Sequence, residues 1–234
     1  MSTAEPVRPG HQLAVAAMAA PEFSEIVALF ENDPRIGGTY FRLVENGFQP
    51  VDLDQLSSKP LIGIGPVFPP TTSVDQLTKE LDSRVATLLQ RRSGASRSEE
   101  KQIEAKVMRW ALCSHLGLPG GFPEGLRFIA SQWRIELDGK NKVVDVIAAD
   151  RDTGGLVVIE LKTKPDKKAK VLAAEYVAHF RAYADVFGPF FSALGSAMAK
   201  LYGCSDMPSR VDAHAAAGLA AWPADSGYVV VRSQ

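Results

Sequence analysis

The chain has 234 residues, of which 46% are hydrophobic and 23% charged, and its formal net charge is −1. This composition is typical of a globular protein with a core and excludes a disordered chain. The near-zero net charge excludes a global basic field, so a nucleic-acid partner would have to be held by a local patch. No run reaches the roughly 18 apolar residues of a membrane span, so no membrane partner is expected.

The cysteine usage favours an intracellular compartment. The two cysteines, Cys113 and Cys204, have no CxxC spacing, so they indicate neither a disulfide scaffold nor a zinc cluster. Because this usage suits a reducing cytosol, we expect a cytoplasmic protein.

The first ninety residues read as a small α+β module of unknown role. The apolar spacing predicts a short helix over 22–32, and Glu45-Asn46-Gly47 predicts the turn of a hairpin because Asn-Gly tolerates positive φ. The Pro- and Gly-rich stretch 58–72 should be irregular, and a helix capped by Ser73 should run over 73–92. The small and basic stretch 91–98 then predicts a boundary, which gives domains of residues 1–92 and 93–234.

The second domain reads as alternating strands and helices. A helix is predicted over 99–116, then three strands over 126–137, 142–150 and 156–163 with turns at 138–141 and 151–155. A long helix over 169–188 should end at Gly188-Pro189, before a further helix over 190–203 and a last strand over 227–233. The third strand is nearly continuously apolar, as expected of a strand covered on both faces. We therefore expect an α/β domain.

Three ionisable residues stand inside these apolar strands, where they are costly unless something requires them. Side-chain alternation puts Glu160 and Lys162 on one face of the third strand. Asp145 lies about as far from the intervening turn as Glu160, so the two carboxylates can be adjacent across the antiparallel strands. Paired carboxylates suit Mg²⁺ or Mn²⁺. The alternative is a plain Glu160–Lys162 ion pair at a solvated strand end, with Asp145 pointing away.

Asp145 followed after a hairpin by Glu160-Leu161-Lys162 resembles the PD-(D/E)xK phosphodiesterase superfamily, whose members have the restriction-endonuclease-like fold. The resemblance implies a core with a mixed central sheet flanked by helices. The local sequence VDVIAADRDTGGLVVIELK is especially similar to the C-terminal nuclease domain of the NucS/EndoMS type and to other RecB-like nucleases. The resemblance covers about Glu99 to Phe187. It does not extend to the N-terminal module.

The resemblance implies a set of site residues. Asp145 and Glu160 would hold Mg²⁺ or Mn²⁺ with the carbonyl of Leu161, and Lys162 would position the attacking water. An acidic residue on the helix before the sheet would complete the site. Glu100 best fits that place, with Glu99 and Glu104 as rivals. An equal alternative for Glu100 is a stabilising contribution to the first turn of its helix.

One departure from the family lies on the helix after Glu-x-Lys, where RecB-like members often have Gln-x-x-x-Tyr. This chain has no Gln there. His179 and Tyr183 stand at that spacing, so we interpret them as candidate contacts to nucleic acid. Upstream of that helix, Lys164, Lys167 and Lys168 belong to the lysine-rich stretch KTKPDKKAK, which reads equally as a phosphate-binding loop or as a solvated loop.

The function that the resemblance implies is metal-dependent hydrolysis of nucleic-acid phosphodiester bonds, with DNA expected over RNA. The physiological setting would be repair, restriction or phage defence, and many such nucleases work as homodimers. The alternative is a catalytically inactive nucleic-acid-binding or assembly module on the same fold.

Overall fold

The structure, a computed structural model, describes residues 7, 9–32, 39–44, 47–52, 73–94, 125–162, 167–202, 206–221 and 229–231. The chain divides into two compact units, Arg8–Lys106 and Met1–Val7 with Val107–Gln234. The boundary predicted after Arg92 stays a prediction, because residues 95–124 lie outside the described part. The predicted helix over 99–116 and the irregular stretch 58–72 also lie outside it.

The first unit combines helices with a β-hairpin. Its described elements are α1 (Pro9–Ala19), α2 (Pro21–Glu31), β1 (Thr39–Val44), β2 (Gly47–Asp52) and α3 (Val74–Gly94). The predicted hairpin is confirmed, since β1 and β2 pair antiparallel with Val44 opposite Gly47. The predicted cap of α3 is also confirmed, because the Gln76 N–H donates a hydrogen bond to Ser73 Oγ at 3.2 Å. Leu77 and Val85 bury the inner face of this helix.

No single helix in the described ranges combines the length and the apolar composition of a membrane span. Among the described helices, α1 and the first part of α2 reach that length and composition when taken together, with an 83° bend between the two.

The second unit is built on a five-stranded mixed sheet. Its described elements are β3 (Leu126–Leu137), β4 (Lys140–Asp150), β5 (Gly155–Leu161), α4 (Lys167–Ala182), α5 (Ala184–Tyr202), β6 (Asp212–Ala221) and β7 (Val229–Val231). The strand order is β3-β4-β5-β6-β7. Neighbouring strands are antiparallel except β5 and β6, which are parallel. With α4 packed on β5 and β6, and α5 on β6 and β3, the predicted α/β unit with a mixed sheet flanked by helices is confirmed.

Burial and turn chemistry explain the strands. Every residue of β5 is buried, as predicted from its continuous apolar sequence. The turn between β3 and β4 is shorter than the predicted four residues, because Asp138 and Gly139 both adopt positive φ, +51° and +70°, and close a two-residue loop. As a result β4 begins at Lys140, two residues earlier than predicted.

The prediction of one helix ending at Gly188-Pro189 is wrong. The helix α4 ends at Ala182, the helix α5 begins at Ala184, and Pro189 lies inside α5. Packing overrides the proline signal here, since three phenylalanine rings on both sides of the break have centroids within 5.8 Å of one another, namely Phe180, Phe187 and Phe191. The Ser192 hydroxyl donates a 2.7 Å hydrogen bond to the Gly188 carbonyl in the turn that contains Pro189.

The strand β6 was not predicted, because its sequence DAHAAAGLAA is rich in alanine and alanine is depleted in strands. Close helix packing explains the small residues. A Cβ at Gly218 would lie 3.2 Å from Val177 Cγ2 and 3.3 Å from Ala173 Cβ, both on α4. The pairing of β6 with β5 thus depends on side chains small enough to let α4 approach the sheet. The predicted last strand is confirmed over its three residues in β7.

Candidate active site

The candidate site lies where the described pairing of β4 with β5 ends. That register runs from Ala149 opposite Leu156 to Val146 opposite Ile159, and one further step places Asp145 opposite Glu160. Beyond this step the Leu161 N–H donates a 2.8 Å hydrogen bond to Asp145 Oδ2. The Asp145 side chain therefore acts here as the acceptor that a neighbouring backbone carbonyl supplies in a regular ladder. We call Asp145 and Glu160 the carboxylate pair.

Glu160 is the buried member of the pair, with 3% of its surface exposed. Its Oε1 is 2.6 Å from Lys162 Nζ. Its Oε2 is buried and has no hydrogen-bond partner among the described residues. Burial first and the charge of Asp145 second raise the pKa of Glu160 to about 7, against the lowering effect of Lys162. The carboxyl is therefore poised between its charged and neutral forms at neutral pH.

Lys162 reaches the pair from just outside the strand. The sequence placed it within a strand over 156–163, whereas β5 ends at Leu161. About a quarter of its side chain (26%) is exposed, so the ammonium lies between buried Glu160 and solvent. Glu160 is buried, and both the charge of Asp145 and the contact with Lys162 influence its pKa. The alternative of an isolated, solvated Glu160–Lys162 ion pair therefore does not describe this arrangement.

Tyr176 of α4 belongs to the site, although the sequence did not single it out. The residue is 1% exposed, and its hydroxyl donates a 3.0 Å hydrogen bond to the Val143 carbonyl of β4. Burial, followed by the charges of Glu160, Asp145 and Glu175, raises the pKa of Tyr176 above its usual range. A buried tyrosine usually requires a hydrogen-bond partner for its hydroxyl, and this requirement could have indicated a polar contact of Tyr176.

Gln132 of β3 is the second residue that the sequence did not single out. The register pairs Ser131 with Val146 and Trp133 with Val144, which leaves Gln132 opposite Asp145. Its Nε2 donates a 3.3 Å hydrogen bond to Asp145 Oδ1. Its φ of +52° is in the left-handed region, which a non-glycine residue rarely adopts within a strand.

The two residues predicted at the family's Gln-x-x-x-Tyr spacing lie next to each other, with ring centroids 5.1 Å apart. His179 also contacts the rings of Phe180 and Phe187, and burial lowers its pKa. Tyr183 lies at the break between α4 and α5 and is 45% exposed. Their contact with nucleic acid stays a prediction.

The remaining predicted residues are only partly within the described chain. Lys167 begins α4, and Lys168 is exposed in its first turn. Residue Lys164 and the three candidate helix acids, Glu99, Glu100 and Glu104, lie outside the described residues. Within the described ranges no three histidine, cysteine or acidic side chains are grouped so that they could hold a metal ion together.

The carboxylate pair fits a hard divalent cation in its chemistry. Oxygen ligands from two carboxylates are what Mg²⁺ and Mn²⁺ prefer. The buried Glu160 Oε2 has no hydrogen-bond partner among the described residues, and burial, followed by the charge of Asp145, raises the pKa of this carboxyl. A cation would accept an electron pair from this oxygen and would offset the negative charge of Asp145. Asp145 and Glu160 are therefore the side chains that would hold it, and the Leu161 carbonyl stays a predicted third ligand.

The described second unit thus belongs to the broad class of α/β proteins with a mixed sheet, and its site is a carboxylate pair with an adjacent lysine. Comparison of the chain with protein-family models, with curated proteins and with solved structures found no match.

Proposed function

We propose that this protein is a metal-dependent phosphodiesterase of the PD-(D/E)xK type that hydrolyses nucleic acid, with DNA as its substrate. The observation that supports this most is the convergence of Asp145, Glu160 and Lys162 at one end of two paired strands. The mixed sheet flanked by helices is compatible with a restriction-endonuclease-like core.

The charges at the site favour a cation. Glu160 is nearly fully buried beside the negative charge of Asp145, and burial, followed by that charge, raises the pKa of Glu160 to about 7. A divalent cation held by Asp145 and Glu160 would offset that charge more completely than a proton. When bound, such an ion polarises a phosphoryl oxygen and lowers the pKa of its water.

Lys162 has the charge and the position for a role in the reaction. Hydrolysis adds a water oxygen to phosphorus and breaks one P–O ester bond, and the leaving oxygen takes a proton. The Lys162 ammonium, partly exposed at the edge of the site, can orient the water and balance the negative charge that develops on the phosphate. Its contact with Glu160 holds it within reach of both.

Binding of a polyanion would use local positive charge, since the net charge of the chain is −1. Lys168 is exposed near the start of α4, the helix that also contains Tyr176. Together with Lys164 and Lys167 it would contact phosphates, which predicts binding that weakens steeply with salt.

A second candidate is a catalytically inactive nucleic-acid-binding or assembly module on the same fold. It is favoured by one observation. The tyrosine whose hydroxyl is at the site is Tyr176, and the residue four positions before it is Leu172 rather than the glutamine of RecB-like enzymes.

The test is cleavage of labelled single- and double-stranded DNA with Mg²⁺, Mn²⁺ or EDTA by the wild type, Lys162→Ala and Asp145→Asn. The nuclease proposal expects metal-dependent cleavage that falls by two orders of magnitude or more in both variants, while binding of DNA in EDTA is retained. Lys168→Ala is the matched control for loss of a lysine, and it should weaken binding without abolishing cleavage at saturating DNA.

Two results would decide against the proposal. Equal cleavage by all four proteins would assign the activity to a contaminant. DNA binding by the wild type without cleavage in any metal would favour the inactive module.

A further inference from the structure

We propose that Gln132 is a positioning residue that fixes the orientation of the Asp145 carboxylate toward the divalent cation. The inference rests on the proposed function and adds to it a residue that no family pattern pointed to. It concerns the side chain of β3 that lies opposite Asp145.

Asp145 is held from the strands on both sides of β4. Gln132 Nε2 of β3 donates to Oδ1 at 3.3 Å, and the Leu161 N–H of β5 donates to Oδ2 at 2.8 Å. Donors on both oxygens set the rotation of the carboxylate plane.

The backbone of Gln132 is unfavourable for its residue type. A φ of +52° suits glycine or asparagine, and a glutamine there costs free energy. Flanking Ser131 and Trp133 are both buried, while Gln132 is only half-buried, so apolar packing is not what requires a long side chain at this position. Residues held in sparsely populated backbone conformations cluster at active sites and ligand clamps.

The side-chain contact explains why a glutamine occupies this position. Glycine would relieve the strain, and asparagine would tolerate it but has an amide one methylene shorter. Glutamine alone among the three extends an amide donor as far as Asp145 Oδ1. We therefore attribute the residue type to its contact with the carboxylate pair, as is common for groups that orient metal ligands.

The experiment measures Mn²⁺ affinity by electron paramagnetic resonance of free Mn²⁺, together with the unfolding temperature in EDTA. The variants are Gln132→Gly and Gln132→Asn in the full chain. Both should fold with an unfolding temperature equal to or above that of the wild type, and both should bind Mn²⁺ about 10-fold more weakly. Excess Mn²⁺ should then restore DNA cleavage.

Two controls separate this inference from the proposed function. Asp145→Asn should abolish Mn²⁺ binding, and Gln76→Ala removes an exposed glutamine of α3 whose amide contacts Glu80, so it should change nothing. Absence of Mn²⁺ binding by the wild type would overturn both proposals.

If the wild type binds Mn²⁺ and Asp145→Asn does not, the behaviour of the Gln132 variants decides the inference alone. Wild-type affinity in either folded variant would overturn the positioning role. If both variants bind Mn²⁺ more weakly and also unfold at a lower temperature than the wild type, Gln132 has a structural role. That result would overturn the positioning role as well.

Discussion

The Leu161 N–H donates a 2.8 Å hydrogen bond to Asp145 Oδ2, so one side chain of the carboxylate pair is fastened to the strand that contains the other. This bond couples the local backbone to the electrostatics of the site. A change at Asp145 therefore alters the charge felt by Glu160 and tests the geometry of the pair.

Asp145→Asn should lower the pKa of Glu160 from its value of about 7 in the metal-free protein. The negative charge of Asp145 is the second cause of that raised pKa, after burial, and the amide removes it. The amide oxygen can still accept the Leu161 N–H, so the fold should be retained. Carboxyl ¹³C chemical shifts of Glu160 followed from pH 4 to 9 measure the change.

Asp152→Asn is the matched control for this titration. Asp152 is exposed in the turn between β4 and β5, where it pairs with Arg151. Its substitution should leave the Glu160 titration unchanged. An unaltered pKa in Asp145→Asn would show that the two carboxyls are not electrostatically coupled.

The stability of the metal-free protein should depend on pH through Glu160. A pKa raised from 4.5 to about 7 means that the folded state binds a proton more tightly than the unfolded state between these values. The stabilisation is therefore fully present below about pH 4.5 and is lost as the pH rises to about 7. The shift corresponds to a loss on the order of 3 kcal/mol.

Glu160→Gln should remove this dependence, since the amide does not titrate. Urea unfolding in EDTA at intervals from pH 4.5 to 7.5 would give the difference in unfolding free energy between the wild type and the variant. We expect that difference to fall with pH and then level off. Parallel stability curves would contradict the pKa assignment.

Tyr176→Phe should destabilise the second unit by about 1–2 kcal/mol. The change deletes the hydroxyl that donates to the Val143 carbonyl at 3.0 Å and leaves that carbonyl without this donor. Tyr183→Phe is the control, because Tyr183 is 45% exposed at the helix break. It should change stability by less than about 0.5 kcal/mol. Similar urea midpoints for both variants would show that the Tyr176 bond contributes nothing.

The sequence predicted the parts of this fold that follow from local pattern. The apolar run of β5 and the hairpin turns depend on burial and on φ preferences that individual residues determine. The opposition of Asp145 and Glu160 follows from strand alternation and turn position. These features depend on residues close together in the chain, and for that reason the sequence predicted them.

What escaped prediction depends on partners distant in the chain. The alanines of β6 make a strand because α4 packs closely on them, as the contacts of Gly218 with Val177 and Ala173 show. The helix break at Tyr183 is compensated by ring packing across it. Gln132 could not be selected either, because one polar residue in a strand gives no sign of its φ or of the carboxylate opposite.

The last prediction concerns the junction that brings β6 beside β5, at the end of β5 away from Glu160. Gly154 has a φ of +73°, and a Cβ there would lie 2.5 Å from the Arg210 carbonyl oxygen. The Gly154 carbonyl also accepts a 2.8 Å hydrogen bond from the Asp212 N–H at the start of β6. A side chain at this position must therefore displace the segment that leads into β6.

Gly154→Ala should cost about 3 kcal/mol or more, because unfavourable φ adds to a backbone clash. Gly139→Ala is the matched control, since Gly139 has a similar φ of +70° but nothing within 4 Å of its Cβ position. It should cost only about 1 kcal/mol. Urea unfolding of both variants measures the difference, and equal losses would show that the Arg210 segment yields without cost. Because Gly154 is at the opposite end of β5 from the carboxylate pair, the folded fraction of Gly154→Ala should bind Mn²⁺ as the wild type does.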